Sequence, residues 1–218
     1  MMTKRTDIID ASIANGRKYG LIYTKRCGWV DLGHANPEGA GLLLQKINQE
    51  IDVGGADENH FRINYKQMMG RKNLFKVGVM KTYDIRTGLN DEQKKSIALS
   101  IFLDVSYAFE KMQSNWLFRH ATNSGYSAED LVSNLVGFYR AVYPNKRIIS
   151  LCQPVSKSIA LEIWDTFGEV GSNKNYSTVP YLYSIPPSKG GPMSSSLPDE
   201  LNTIKAAIAG ELFKEVKK

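Results

Sequence analysis

The sequence predicts an α+β fold, predominantly helical around one long helix at about residues 91–121, with a small antiparallel β-hairpin. Three observations lead there. Residues 91–121 contain neither Gly nor Pro, and Ile97, Ile101, Val105, Phe109, Met112 and Trp116 recur there at three- and four-residue steps, one face of a helix. Residues 61–69 and 74–85 alternate weakly between apolar and polar on either side of Gly70-Arg71-Lys72-Asn73, which has the composition of a hairpin turn. Capping residues and helix breakers then divide the remaining chain into short segments.

In chain order, Thr6 caps a short helix over 6–15 that Gly16 ends, with Ile9 and Ile13 on one face. GLIYT at 20–24 and CGWVDL at 27–32 read as short strands. Asn36 as N-cap, Pro37 at the first helical position and Glu38 in the first turn open a helix to about residue 51, burying Leu43, Leu44, Ile47 and Ile51. A turn-rich break at 52–59 precedes the hairpin and the long helix. Ser127 and Asp130 make a variant capping box for a helix to about 142. Residues 148–151 read as a short buried strand, and 154–167 as a helix with Ile159, Ile163 and Trp164 inward. PPSKGGPMSSS at 186–196 predicts a flexible loop, because Pro, Gly and Ser bury little apolar area. Ser196 then caps a C-terminal helix whose stripe is Leu201, Ile204, Ile208, Leu212 and Val216. The expectation is one domain over 1–218.

Composition bounds the function. With 42% hydrophobic and 23% charged residues, the 218-residue chain is an ordinary globular protein. Its net charge of +6 favours an anionic partner, such as a cell-wall polymer or a lipid surface. Lysines and arginines are spread along the chain without a dense run, which argues against nucleic acid. Cys27 and Cys152 are the only cysteines; they exclude a disulfide framework but leave one bond open. The start, MMTKRTDIIDASIANG, has no apolar core of a signal peptide, and no run is long enough to span a membrane. The expectation is synthesis in the cytoplasm, with any export depending on a machine that needs no signal peptide.

Three constellations carry chemistry. Ser106, Tyr107, Glu110, Gln113 and Ser114 form a polar line on the long helix, so Glu110 is a carboxyl expected in a desolvated place. Asp31-x-x-His34 lies at the lip of a helix N-terminus, which keeps an imidazole neutral and available as a base or a metal ligand. Asp130, Ser133, Asn134 and Gly137 share one helix face, where the glycine admits a second backbone. Cys27 or Cys152 with His34 sketches a thiol amidase, although free cysteines are more often packed small hydrophobes. There is no HExxH, GxSxG, P-loop or GxGxxG.

GLIYTKRCGWVDLGHANP, then AFEKMQS and GYSAEDLVSNLVGFY, resemble an uncharacterised bacterial domain family found mostly in Gram-negative envelope-associated proteins. That family's pattern is an extended YT-x-R-GG-x-ID segment ending in His, a helical His-Glu pair, and a Ser-x-Glu-Asp-x-x-Ser-Asn helix. The resemblance covers residues 16–36 and 104–140, and marks Asp31, His34, Glu110, Ser127, Asp130, Ser133 and Asn134. It departs at Phe109, where the family carries the His of its pair. Together these readings imply a hydrolase of the bacterial cell envelope, with peptidoglycan the first-choice substrate. Such a protein would be an antibacterial effector acting in a target periplasm, delivered for example by type VI secretion and held in check by a cognate inhibitor protein. In this expectation Glu110, His34 and Asp31 are catalytic, while Asp130, Ser133, Asn134 and Ser127 bind substrate. Either no cofactor is used or Asp31 and His34 hold a divalent metal. The alternatives are a phospholipid hydrolase, a Cys/His amidase and a non-catalytic effector or binding module.

Overall fold

A computed structural model describes residues 3–69, 77–118, 126–188 and 190–217. Among the described residues the fold is mixed α/β and not predominantly helical, with three small antiparallel sheets where the sequence suggested one hairpin. Close packing divides the chain into two units, Met1–Pro37 with Gln113–Thr203, and Glu38–Met112 with Ile204–Lys218.

In the first unit, β1 (Leu21–Thr24) and β2 (Gly28–Asp31) pair antiparallel, with Leu21 opposite Asp31. All of β1 and most of β2 are buried, because apolar groups cover both faces. Trp29 meets Tyr23 and Trp164 edge-on, at ring separations of 5.2 and 5.8 Å. The Tyr23 hydroxyl donates to the Tyr183 carbonyl and accepts from the Tyr183 amide at 2.6 Å, so the ring is buried without stranding its oxygen. Helix α3 (Asp130–Val142) follows, then the single turn α4 (Ile148–Leu151) and α5 (Lys157–Phe167), which Ser156 caps through the Ile159 amide. Residues 148–151 are therefore helical and not a strand; the hydrogen bonds from Ser150 and Leu151 to Arg147 close locally.

The N-terminal segment forms two 3-10 turns, Arg5–Asp7 and Ala11–Gly16, with Asp10 capping Ser12 in place of a helix from Thr6. Ile8 is fully buried through its bridge to Leu21, whereas Ile13 faces solvent. Of the expected loop at 186–196, Met193–Ser194 forms strand β6, paired with β5 (Tyr181–Leu182).

In the second unit, α1 (Glu38–Asn48) begins where Asn36-Pro37 predicts, and buries Ala40, Leu43, Leu44 and Ile47. Ile51 lies beyond its end and is exposed. The expected hairpin is β3 (His60–Met69) with β4 (Val77–Arg86), a ten-pair ladder; its turn at 70–76 lies outside the described residues. Arg62 clasps Asp84 with two hydrogen bonds of 2.6 and 2.9 Å across that ladder. Helix α2 (Asp91–Phe118) is the long helix, and the expected continuation to Ala121 lies outside the described residues.

The expected C-terminal helix is absent from the described residues. After a 3-10 turn, Asp199–Leu201, the chain extends, and β7 (Phe213–Glu215) pairs with β4. Its apparent helical stripe is broken: Leu201 and Ile204 are buried, but Ile208 is 91% exposed. An open sheet edge and the burial of Phe213 outweigh local helix propensity here.

Candidate active site

The first unit gathers most of the predicted residues at the junction of β2 and α3. Asp31 ends β2 and turns the chain: its carboxylate accepts the Gly33 amide at 2.7 Å, and its carbonyl accepts the Ala35 amide at 2.8 Å. The Asp31 amide donates to Ser133 Oγ at 2.9 Å, which ties this turn to α3. Gly137, one helical turn further on, allows a close approach. A Cβ there would stand 3.0 Å from the His34 carbonyl oxygen and from the Ala35 carbonyl carbon. Arg140 donates to the Ala35 carbonyl at 2.6 Å, completing the seam. The polar face of α3 thus serves as the bed on which the 31–35 turn lies.

This bed sets the position of His34. Its Nε2 lies 3.5 Å from Asp130 Oδ1, while Asp130 Oδ2 accepts the Ser127 amide at 2.9 Å. The carboxylate divides its oxygens between holding the helix start and orienting the imidazole. The His34 side chain is 26% exposed against 8% for Asp130, so solvent or a ligand reaches the ring from one side. Ser133 and Asn134 are buried on the same helix as Asp130, and Asn134 Nδ2 has no hydrogen-bond partner among the described residues. Such an atom costs about 1–3 kcal/mol when left dry.

Glu129 went unnoticed in the sequence because the Ser127–Asp130 spacing is already explained by capping. Its side chain is 2% exposed; Oε1 accepts from Thr3 Oγ1 at 3.2 Å, and Oε2 has no hydrogen-bond partner among the described residues. Burial, with the negative charge of Asp130 next in weight, pushes its carboxyl up to about 8, against partial relief from a backbone hydrogen bond and His34. The site therefore keeps a protonated carboxyl at neutral pH. The folded state holds this proton up to about pH 8, whereas the unfolded chain releases it near 4.5. Stability from this group is full below about 4.5 and is lost as pH rises through about 8. Thermal melts across that range should show a declining melting temperature, and Glu129→Gln should flatten the decline. An equal decline in the variant would assign the pH dependence to other groups.

Glu110 lies on α2 and is fully buried. The two cysteines are buried as well. Hydrogen bonding to Cys152, then burial, raises the Cys27 thiol well above its usual range, the opposite of what a nucleophilic thiolate needs. Cys152 follows the last residue of α4 and donates to the Ile148 carbonyl at 3.4 Å, so it sits at the end of a helical turn, where no N-terminal dipole favours its thiolate. A surface cleft of about 560 Å³, lined by Asn59, His60, Arg86, Thr87 and Glu211, contains none of the predicted site residues.

No protein-family model, curated protein or solved structure matches the chain. The resemblance to the envelope-associated family therefore rests on the quoted segments alone. No described helix is long and apolar enough to cross a membrane.

Proposed function

We propose that this protein is a hydrolase of the bacterial cell envelope, with peptidoglycan the first-choice substrate, working as an antibacterial effector. The observation that carries the reading is the His34–Asp130 pair: a partly exposed imidazole oriented by a buried carboxylate. That arrangement suits a base that takes a proton from water, its imidazolium form stabilised by Asp130 as it appears. Glu110, desolvated on α2, is the proton donor to the leaving group. Asp31 shapes the turn that carries His34 and so has a positioning role in this reading. Ser133 and Asn134 are buried on the same helix as Asp130, and Asn134 Nδ2, which has no hydrogen-bond partner among the described residues, is suited to a substrate carbonyl or hydroxyl. A charge of +6 suits an anionic polymer.

A metal-assisted variant of the same chemistry has its own support. Within the first unit, His34 Nε2 and Asp130 Oδ1 stand 3.5 Å apart, and these two donors would hold a divalent cation. A cation held there would lower the pKa of bound water and make hydroxide available at neutral pH.

Purified protein should be incubated with sacculi and, separately, with phospholipid vesicles, each with and without chelator, and the products identified by mass spectrometry. Soluble glycan or peptide fragments that disappear with His34→Ala are expected. Lipid products would move the assignment to a phospholipid hydrolase, and chelator sensitivity would select the metal-assisted form. A folded protein that releases nothing from either substrate would leave the binding-module reading in place of the enzyme.

A further inference from the structure

The only two cysteines of the chain, far apart in sequence, are packed against each other in the first unit. Residues 23–27 run antiparallel to 152–155 through a short backbone ladder. Arg26 N donates to the Cys152 carbonyl at 3.1 Å, Lys25 N to the Gln153 carbonyl at 2.9 Å, and Val155 N to the Tyr23 carbonyl at 3.0 Å. Thr24 and Pro154 form the β-bridge between them. The Cys27 backbone is fixed in turn by Thr24, whose hydroxyl oxygen accepts the Cys27 amide at 3.0 Å. Within this frame the Cys27 thiol is a near neighbour of the Cys152 thiol, and Cys152 Sγ donates to the Ile148 carbonyl. Both residues are buried, at 2% and 0% exposure. Two buried thiols on adjacent segments already held by main-chain hydrogen bonds need mainly side-chain rotation to reach the S–S distance of about 2.05 Å.

We propose that Cys27 and Cys152 form an intramolecular disulfide when the chain folds or resides in an oxidising compartment. The oxidant is a disulfide of the glutathione or dithiol-oxidase class. One cysteine, as thiolate, attacks an oxidant sulfur and releases one thiol. The second cysteine then displaces the other, so the protein sulfurs lose two protons and two electrons and the oxidant becomes two thiols. In the folded, reduced protein both sulfurs are covered, so exchange takes place during folding or transient opening. The bond fastens the β1–β2 turn to the connection between α4 and α5. Strand β2 ends at Asp31, so the cross-link braces the strand that presents the His34 turn. It closes a loop of more than half the chain, the case in which a cross-link constrains the unfolded state most. A protein acting in a periplasm meets such conditions; in a cytosol the pair stays reduced.

The test refolds the full-length chain from denaturant in a buffer of oxidised and reduced glutathione, and in parallel in dithiothreitol. Peptide mapping without reductant should show a cross-linked peptide joining Cys27 and Cys152, two hydrogens lighter than the sum of its parts, in a monomeric protein. The oxidised form should melt at least about 5 °C above the reduced form, and added dithiothreitol should remove the difference. Cys152→Ser should melt alike under both conditions; the wild-type comparison stands even if that variant fails to fold. Two free thiols after oxidative refolding, a glutathione adduct or an intermolecular dimer would overturn the proposal. So would an internal bond that leaves the melting temperature unchanged or lower.

Discussion

Glu110→Gln is expected to lower hydrolytic activity by about 10²–10⁴-fold, the usual worth of a general acid. That range corresponds to about 2.7–5.4 kcal/mol of transition-state stabilisation. Glutamine matches the shape of the carboxyl and keeps a carbonyl oxygen, but it has no acidic proton to deliver. Because Glu110 is fully buried, replacing an ionisable group by a neutral isostere should leave stability nearly unchanged or slightly higher. A purely structural role gives the reverse pattern. If Glu110 is only the charged half of a buried pair, its loss strands the partner at about 3–5 kcal/mol, and the protein unfolds without a selective catalytic defect. Melting curves run beside product assays on this one variant separate the two. A destabilised protein of normal specific activity would remove Glu110 from the mechanism.

The largest stability effect is expected at Gly28, the first residue of β2. Its φ is +66°, and its carbonyl accepts the Thr24 hydroxyl at 3.0 Å. A Cβ at this position would fall inside contact distance of the Tyr181 carbonyl oxygen, which is backbone and cannot swing aside. Left-handed conformation costs a non-glycine residue about 1–2 kcal/mol, and overpacking adds about 1–3 kcal/mol. Gly28→Ala should therefore destabilise by about 2–5 kcal/mol, equivalent to a fall of about 5–15 °C in melting temperature. Gly54→Ala is the matched control: φ is +91°, but nothing lies within 4 Å of the added carbon. It should lose only the conformational part. Equal losses in the two variants would show that the contact with Tyr181 contributes nothing.

Local rules reached a good part of this molecule. The Asn36-Pro37-Glu38 start, the β3–β4 ladder and the Gly- and Pro-free run of α2 depend on interactions within a few residues, and each forms where composition and spacing place it. The face Asp130, Ser133, Asn134 and Gly137 was legible for the same reason: helical period alone puts these residues together. Its function as a bed for the 31–35 turn was not, because that depends on a contact between segments about a hundred residues apart. Glu129 stayed hidden because a buried carboxyl and an exposed one have the same letter. Only its surroundings raise its proton affinity: burial first, then the charge of Asp130 beside it.

The C-terminal segment shows where local rules give way. Leu201, Ile204, Ile208, Leu212 and Val216 keep helical spacing, yet Phe213–Glu215 is drawn into a strand by the free edge of β4. Residues 148–151 failed in the opposite direction, since a short apolar run carries no period to tell strand from helix turn. The sequence by itself determined the chemistry available: one His near a turn, carboxyls on two helices, two thiols and a net positive charge. Tertiary structure decided which groups meet. Asp130 faces His34, Glu129 keeps its proton, and Cys27 finds Cys152 because hydrogen bonds between distant segments fix those distances, and no pattern along the chain encodes them.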